Sequence, residues 1–166
     1  MQFRRSRLTV SLVESGAALQ SMRNSDFDAY SAYGEVIDNS IQAEAQHVRL
    51  QIFYDQSSAQ SKREPITRIC FGDDGLGMPA EILHRCLQLG YSSRYNDRSG
   101  IGRFGVGAIL GAINQCQRID VYSKELGGTW LYTYVDLEDV CADPPKMNQI
   151  PDPVAKGLPD EYKSLV

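Results

Sequence analysis

The feature that most constrains this chain is the order and spacing of three short motifs. Glu35-Val-Ile-Asp-Asn39 comes first, Asp73-Asp-Gly-Leu-Gly77-Met78 second, and Gly102-Arg-Phe-Gly-Val-Gly107 third. Each alone is weak. Together they ask one fold to bring an acid–amide pair, an Asp-x-Gly-x-Gly-Met turn and a second glycine-rich loop into the same neighbourhood.

The residues between the motifs have readable periods. Leu8, Val10 and Leu12 alternate with polar residues and predict a first strand. Ser25 and Asp26 are good caps for a following helix, in which Ala29, Tyr33, Val36, Ile37 and Ile41 recur at three- and four-residue spacing. Val48, Leu50, Ile52 and Tyr54 alternate as in a half-buried strand, and Ile66 to Phe71 predicts its partner. Pro79 suits the start of a short helix with Ile82, Leu83, Cys86 and Leu87 on its apolar face and Gly90 at its end. Ala108 to Ile113 predicts another helix, and residues 119–122 and 130–135 predict a hairpin turned by Gly127-Gly128. Strands interspersed with helices in this way point to an α+β fold. The expected form is a two-layer sandwich, with a mixed, largely antiparallel sheet covered by helices on one face.

At 166 residues the chain has the size of one domain with a real core. Residues 1–140 are expected to form it. Five of the seven prolines lie beyond Cys141, where periodicity fades. Residues 141–166 therefore read as an extended tail or linker, with further sequence expected beyond Val166. A net charge of −4 argues against broad nonspecific binding to nucleic acid. No apolar run approaches a membrane span. The four cysteines are scattered with no Cys-x-x-Cys, as expected of reduced thiols in a cytoplasmic protein.

The motifs themselves carry chemistry. Glu35 and Asn39 are four residues apart, so on a helix they point the same way from the margin of its apolar stripe. An isolated pair of this kind is most often a solvated helix edge. Asp73 follows a buried strand, at a position where ligands collect. Gly75 and Gly77 would let a flat ring approach the backbone, and Met78 is soft enough to pack on an aromatic face. Taken alone, this segment is equally well a plain polar turn. Gly100, Gly102, Gly105 and Gly107 precede a helix, where successive N–H groups can converge on an anion. No Gly-Lys-Ser/Thr ends that loop, and no strand immediately precedes it, so it is neither the common phosphate loop nor a dinucleotide fingerprint. Residues 91–107 have no periodicity and read as a long functional loop.

With the three motifs in order, residues 28–135 resemble the ATP-binding domain shared by DNA gyrase, Hsp90, histidine kinases and MutL, the GHKL superfamily with its Bergerat fold. Glu35 to Ile41 is similar to the family's first motif, Asp73 to Met78 to its second and Gly102 to Gly107 to its third. The style is closest to MORC, MutL and Hsp90, and Leu89 to Arg94 resembles the MORC lid.

The resemblance implies a role for each residue. Glu35 would be the base that orients and activates water, and Asn39 the Mg²⁺ ligand that links metal to phosphates. Asp73 would accept from the adenine amino group, with Gly75, Gly77 and Met78 around the ring. Gly102, Arg103, Phe104, Gly105, Val106 and Gly107 would meet the phosphates within a closing lid. Gln42 departs from the family, which often has an acid at that position. The family also places a threonine beside the adenine-binding acid. Gly128-Thr129 is one source for it, and a strand beyond Val166 is another. The implied activity is that of an ATPase using ATP and Mg²⁺ to close a lid and to pair with a second copy, inside a larger protein whose other regions act on DNA. The alternative is a nucleotide-sensing module with negligible hydrolysis.

Overall fold

The computed structural model describes residues 15–24, 28–55, 65–89, 91 and 107–166. The strand expected around Leu8 to Leu12, the caps Ser25 and Asp26, Gly90 and the loop residues 92–106 lie outside them.

Helix α1 (Ser15–Arg23) leads to α2 (Ala29–Gln42), whose cap is Asp28. The Asp28 carboxylate accepts from Ser31 N at 3.0 Å and from Ser31 Oγ at 2.7 Å, and these bonds hold its pKa below the ordinary range. The buried stripe of α2 is not centred where hydropathy puts it. Ala32 and Ser40 are its deepest residues, Ala29, Tyr33 and Val36 are half-buried, and Ile37 and Ile41 turn outward with Tyr30. On a helix that stripe leaves Glu35 and Asn39 on one margin and Tyr30, Ile37 and Ile41 on the other.

Strands β1 (Val48–Tyr54) and β2 (Ile66–Asp73) pair antiparallel, Val48 opposite Asp73 and Ile52 opposite Ile69, with an irregularity between Phe53 and Tyr54. Alternation gives this sheet two faces. Phe71 packs on Tyr33 of α2, ring centroids 5.6 Å apart, so Phe71 and Asp73 share the face turned to α2. Arg68, Cys70 and Gly72 occupy the other face. There a terminal 3₁₀ turn (Asp160–Leu165) docks: Arg68 pairs with Glu161 at 2.7 Å, Phe53 meets Tyr162 edge-on, and Leu165 lies directly over Gly72.

Helix α3 (Ala80–Arg85) follows the second motif, with Leu83 fully buried and Leu87 just beyond it. Burial pushes the neighbouring Cys86 thiol up to about 12. Helix α4 (Gly107–Gln115), strands β3 (Arg118–Ser123) and β4 (Leu131–Asp136), and helix α5 (Leu137–Cys141) complete the main body. The β3–β4 hairpin turns through Gly127, whose φ is +74°. Ile109, Ile113 and Leu137 form a core joined by Leu19, Leu89, Ile119 and Val135. The end of α1 is tied to the end of α4, because Asn114 Nδ2 donates to Arg23 O at 2.7 Å and Arg23 Nη1 to Cys116 O at 3.1 Å.

Beyond Cys141 the chain is extended but packed. Met147 and Leu165 are buried, and β5 (Val154–Ala155) pairs with β4. Thr133 donates to Pro151 O at 2.8 Å, and a His84 ring nitrogen meets Ile150 O at 2.9 Å. The protein is thus α+β, with antiparallel pairing throughout its described strands. Those strands form two ladders, β1–β2 and β3–β4–β5. The ladders meet not by a strand pair but through the loop after β2, where Met78 N donates to Ser123 Oγ at 2.7 Å.

Candidate nucleotide site

The two adjacent acids of the second motif do different work. Asp74 closes the turn between α2 and β1. Its Oδ1 accepts the backbone N–H of Gln46 and of His47, both at 2.8 Å, and its Oδ2 lies 2.7 Å from His47 Nδ1. The His47 side chain and then its backbone N–H hold the Asp74 carboxyl down at about 2. Asp73 instead faces α2. Its Oδ2 accepts from Ser40 Oγ at 3.0 Å and its Oδ1 from Gly75 N at 3.0 Å. Each oxygen therefore carries one donor and keeps acceptor capacity for another.

The glycines of this loop are needed by the fold itself. A Cβ at Gly75 would lie 2.6 Å from Ala43 O, and Leu76 N donates to that same carbonyl at 2.8 Å. Gly77 has φ +73°, and a Cβ there would collide with the Lys124 carbonyl, 2.7 Å from its carbon. At both glycines the Cβ direction is taken up by neighbouring backbone. The loop is thereby pinned between the end of α2 and the end of β3. Met78 is half-buried, with its N–H bound to Ser123.

Because Ser40 follows Asn39 directly, its bond to Asp73 sets the first and second motifs side by side. Glu35 is half-buried and Asn39 exposed, one turn apart on the same margin of α2. Of the third motif only Gly107 is described, as the first residue of α4; Gly102 to Val106 lie outside the described residues. Thr129 is exposed, and the hydroxyl that holds Asp73 comes from Ser40. Sequence reasoning gave Ser40 no role. Its signal was a small polar residue within an apolar stripe. Ser123, which anchors the loop from β3, had no comparable signal.

A cavity of about 560 Å³ opens at this strand end, lined by Asp73, Lys124, Trp130, Gly157, Leu158, Lys163 and Val166. Among the described residues it shares only Asp73 with the motifs. The constellation held by direct hydrogen bonds is the better guide to the chemistry, because the cavity holds neither Glu35 nor Asn39. Among the described residues no three His, Cys, Asp or Glu side chains form a group able to hold a metal by themselves. No described helix is long and apolar enough to cross a membrane.

Asp73, at the end of β2, is thus held beside the helix that carries Glu35 and Asn39. Residues 28–157 match the family of histidine kinase-, DNA gyrase B- and HSP90-like ATPases, and the chain belongs to that family. Membership supports ATP as the ligand, with Mg²⁺ its usual companion.

Proposed function

We propose that this chain binds Mg²⁺–ATP between α2 and the end of β2 and hydrolyses it. The observation that carries the reading is the Ser40–Asp73 bond at 3.0 Å, which brings the acid of one motif against the helix that bears the acid–amide pair of another.

In this reading the outer lone pairs of Asp73 accept the adenine amino group. Gly75, Gly77 and Met78 form the loop along the base, held in place by Ala43, Lys124 and Ser123. Asn39 offers its carbonyl oxygen to the metal. Mg²⁺ held there would supply positive charge against the phosphates. Glu35, one turn earlier, takes a proton from the attacking water. Gly102, Arg103, Phe104, Gly105, Val106 and Gly107 supply donors to the phosphates, with the helix dipole of α4 adding to them. Closure of this segment over ATP would exclude bulk water while keeping the attacking one. Dimerisation is typical of the family, and pairing of two ATP-bound copies within a larger, DNA-linked protein is the wider role to which the reading extends. Four free cysteines fit a reducing, cytoplasmic setting for it.

Thermal melting with Mg²⁺–ATP tests binding. At ~100-fold excess over Kd, binding adds about 2.7 kcal/mol of stability. For a chain of this size that raises Tm by roughly 5–10 °C. No shift with ATP, ADP or a non-hydrolysable analogue ends the reading. Phosphate release separates the two forms of the proposal: a clear shift without release makes the chain a nucleotide sensor.

A further inference from the structure

Ser40 lies on the buried stripe of α2, only 4% exposed. A hydroxyl at that depth needs a partner. Two acceptors are in reach, Val36 O at 3.3 Å and Asp73 Oδ2 at 3.0 Å, for one proton. The bond to the carboxylate is the shorter and, being charge-assisted, the stronger. Rotation of an aspartate about its last torsion is broad, so the direction of its lone pairs has to be set by donors from outside. Here there are two, one per oxygen: Ser40 Oγ and Gly75 N. The Gly75 donor belongs to the loop and survives most side-chain changes. Ser40 is the replaceable one.

We propose that Ser40 is the positioning residue that sets this site's preference for adenine, by holding the Asp73 carboxylate with its free lone pairs toward the base. The inference rests on Asp73 as the adenine acceptor and goes beyond it, because it assigns selectivity to a residue that does not touch the ligand. A carboxylate fixed in one plane accepts from an exocyclic amino group. It meets a carbonyl at the same place as acceptor against acceptor, which a site of fixed geometry rejects.

The test compares ATP with inosine triphosphate, which carries an oxygen where ATP carries the amino group. The parent chain should prefer ATP. Ser40→Ala should lose ~10- to 100-fold in ATP affinity, as expected for a hydrogen bond to a charged group. Inosine triphosphate should change little, so the ratio of the two collapses. Ser40→Thr keeps the hydroxyl and should keep the ratio. Ser40→Cys, close in size with a weak donor, should fall between, and it carries the comparison if Ser40→Ala does not fold. Equal weakening of both nucleotides in Ser40→Ala or Ser40→Cys reduces Ser40 to a packing residue and overturns the inference, as does an unchanged ratio. A parent chain that binds no nucleotide defeats the Asp73 reading itself, and this inference with it; a parent that binds ATP beside a Ser40→Ala variant of unchanged ratio defeats this inference alone.

Discussion

Gly77 and Gly127 form a matched pair in which one physical effect can be separated from another. Their φ angles are nearly equal, +73° and +74°. In both, an alanine pays for the left-handed conformation, roughly 1–2 kcal/mol. In both it also gains a little from a stiffer unfolded chain. Only the surroundings differ. Among the described residues nothing lies within 4 Å of a Cβ at Gly127, whereas one at Gly77 would collide with the Lys124 carbonyl. That obstacle is backbone, fixed where β3 ends, so it cannot rotate aside. Forcing extra volume into a packed site adds about 1–3 kcal/mol. Gly127→Ala should therefore cost roughly 1–2 kcal/mol and Gly77→Ala roughly 2–5 kcal/mol. Against a typical total of about 5–15 kcal/mol, the second is a severe loss. Urea unfolding of both variants with a common slope gives the two numbers. Equal losses would refute the claim that Gly77 is required by its contact with Lys124 rather than by its turn alone.

Three further outcomes follow from the same geometry. Gly72→Ala puts a Cβ 2.5 Å from Leu165 Cβ and 2.6 Å from Leu165 O, so the terminal turn must lift from the sheet; limited proteolysis should cut residues 158–166 faster than in the parent, and unchanged cleavage would deny the docking. The Asp74 pKa, held at about 2, lies below its unfolded value of roughly 3.9, so the stability it contributes is fully present above pH ~4 and is lost as pH falls toward 2; Asp74→Asn should flatten the melting temperature across that window, and a parent-like acid slope in the variant would contradict the role. Glu35→Ala should bind ATP as the parent does and release phosphate ~10²- to 10⁴-fold more slowly, whereas parental turnover in paired calorimetry and phosphate assays would make Glu35 a solvated helix edge.

How far the fold could be read in advance depended on how local the deciding interaction was. The alternation of Val48 to Tyr54 and the Gly127-Gly128 turn are local, and the strands and hairpin formed there. The roll of α2 is not local. Hydropathy favours Ile37 and Ile41 for the buried face, but the bond from Ser40 to Asp73 and the Tyr33–Phe71 contact turn the helix the other way. The helix start was expected to be capped from Ser25 and Asp26, whereas the cap bonded to Ser31 is Asp28. Residues 141–166 show no period because they are held at separate points by β5, Thr133, His84 and Leu165, and no repeat records such contacts. At the candidate site the acid, the amide and the loop were legible as residue types at fixed spacing. What spacing did not reveal was that Asp74 would serve the turn at His47 while Asp73 faced the helix. It also did not reveal that Gly75 and Gly77 answer to Ala43 and Lys124.

The central claim is that Asp73, on the face of β2 turned to α2, receives the adenine of ATP. Calorimetric titration of Mg²⁺–ATP into the parent chain and into Asp73→Ala tests it most directly, with circular dichroism to show that both are folded. The account predicts saturable binding by the parent and none by the variant at the same concentrations. Equal affinity in the two would place the adenine elsewhere and contradict the account.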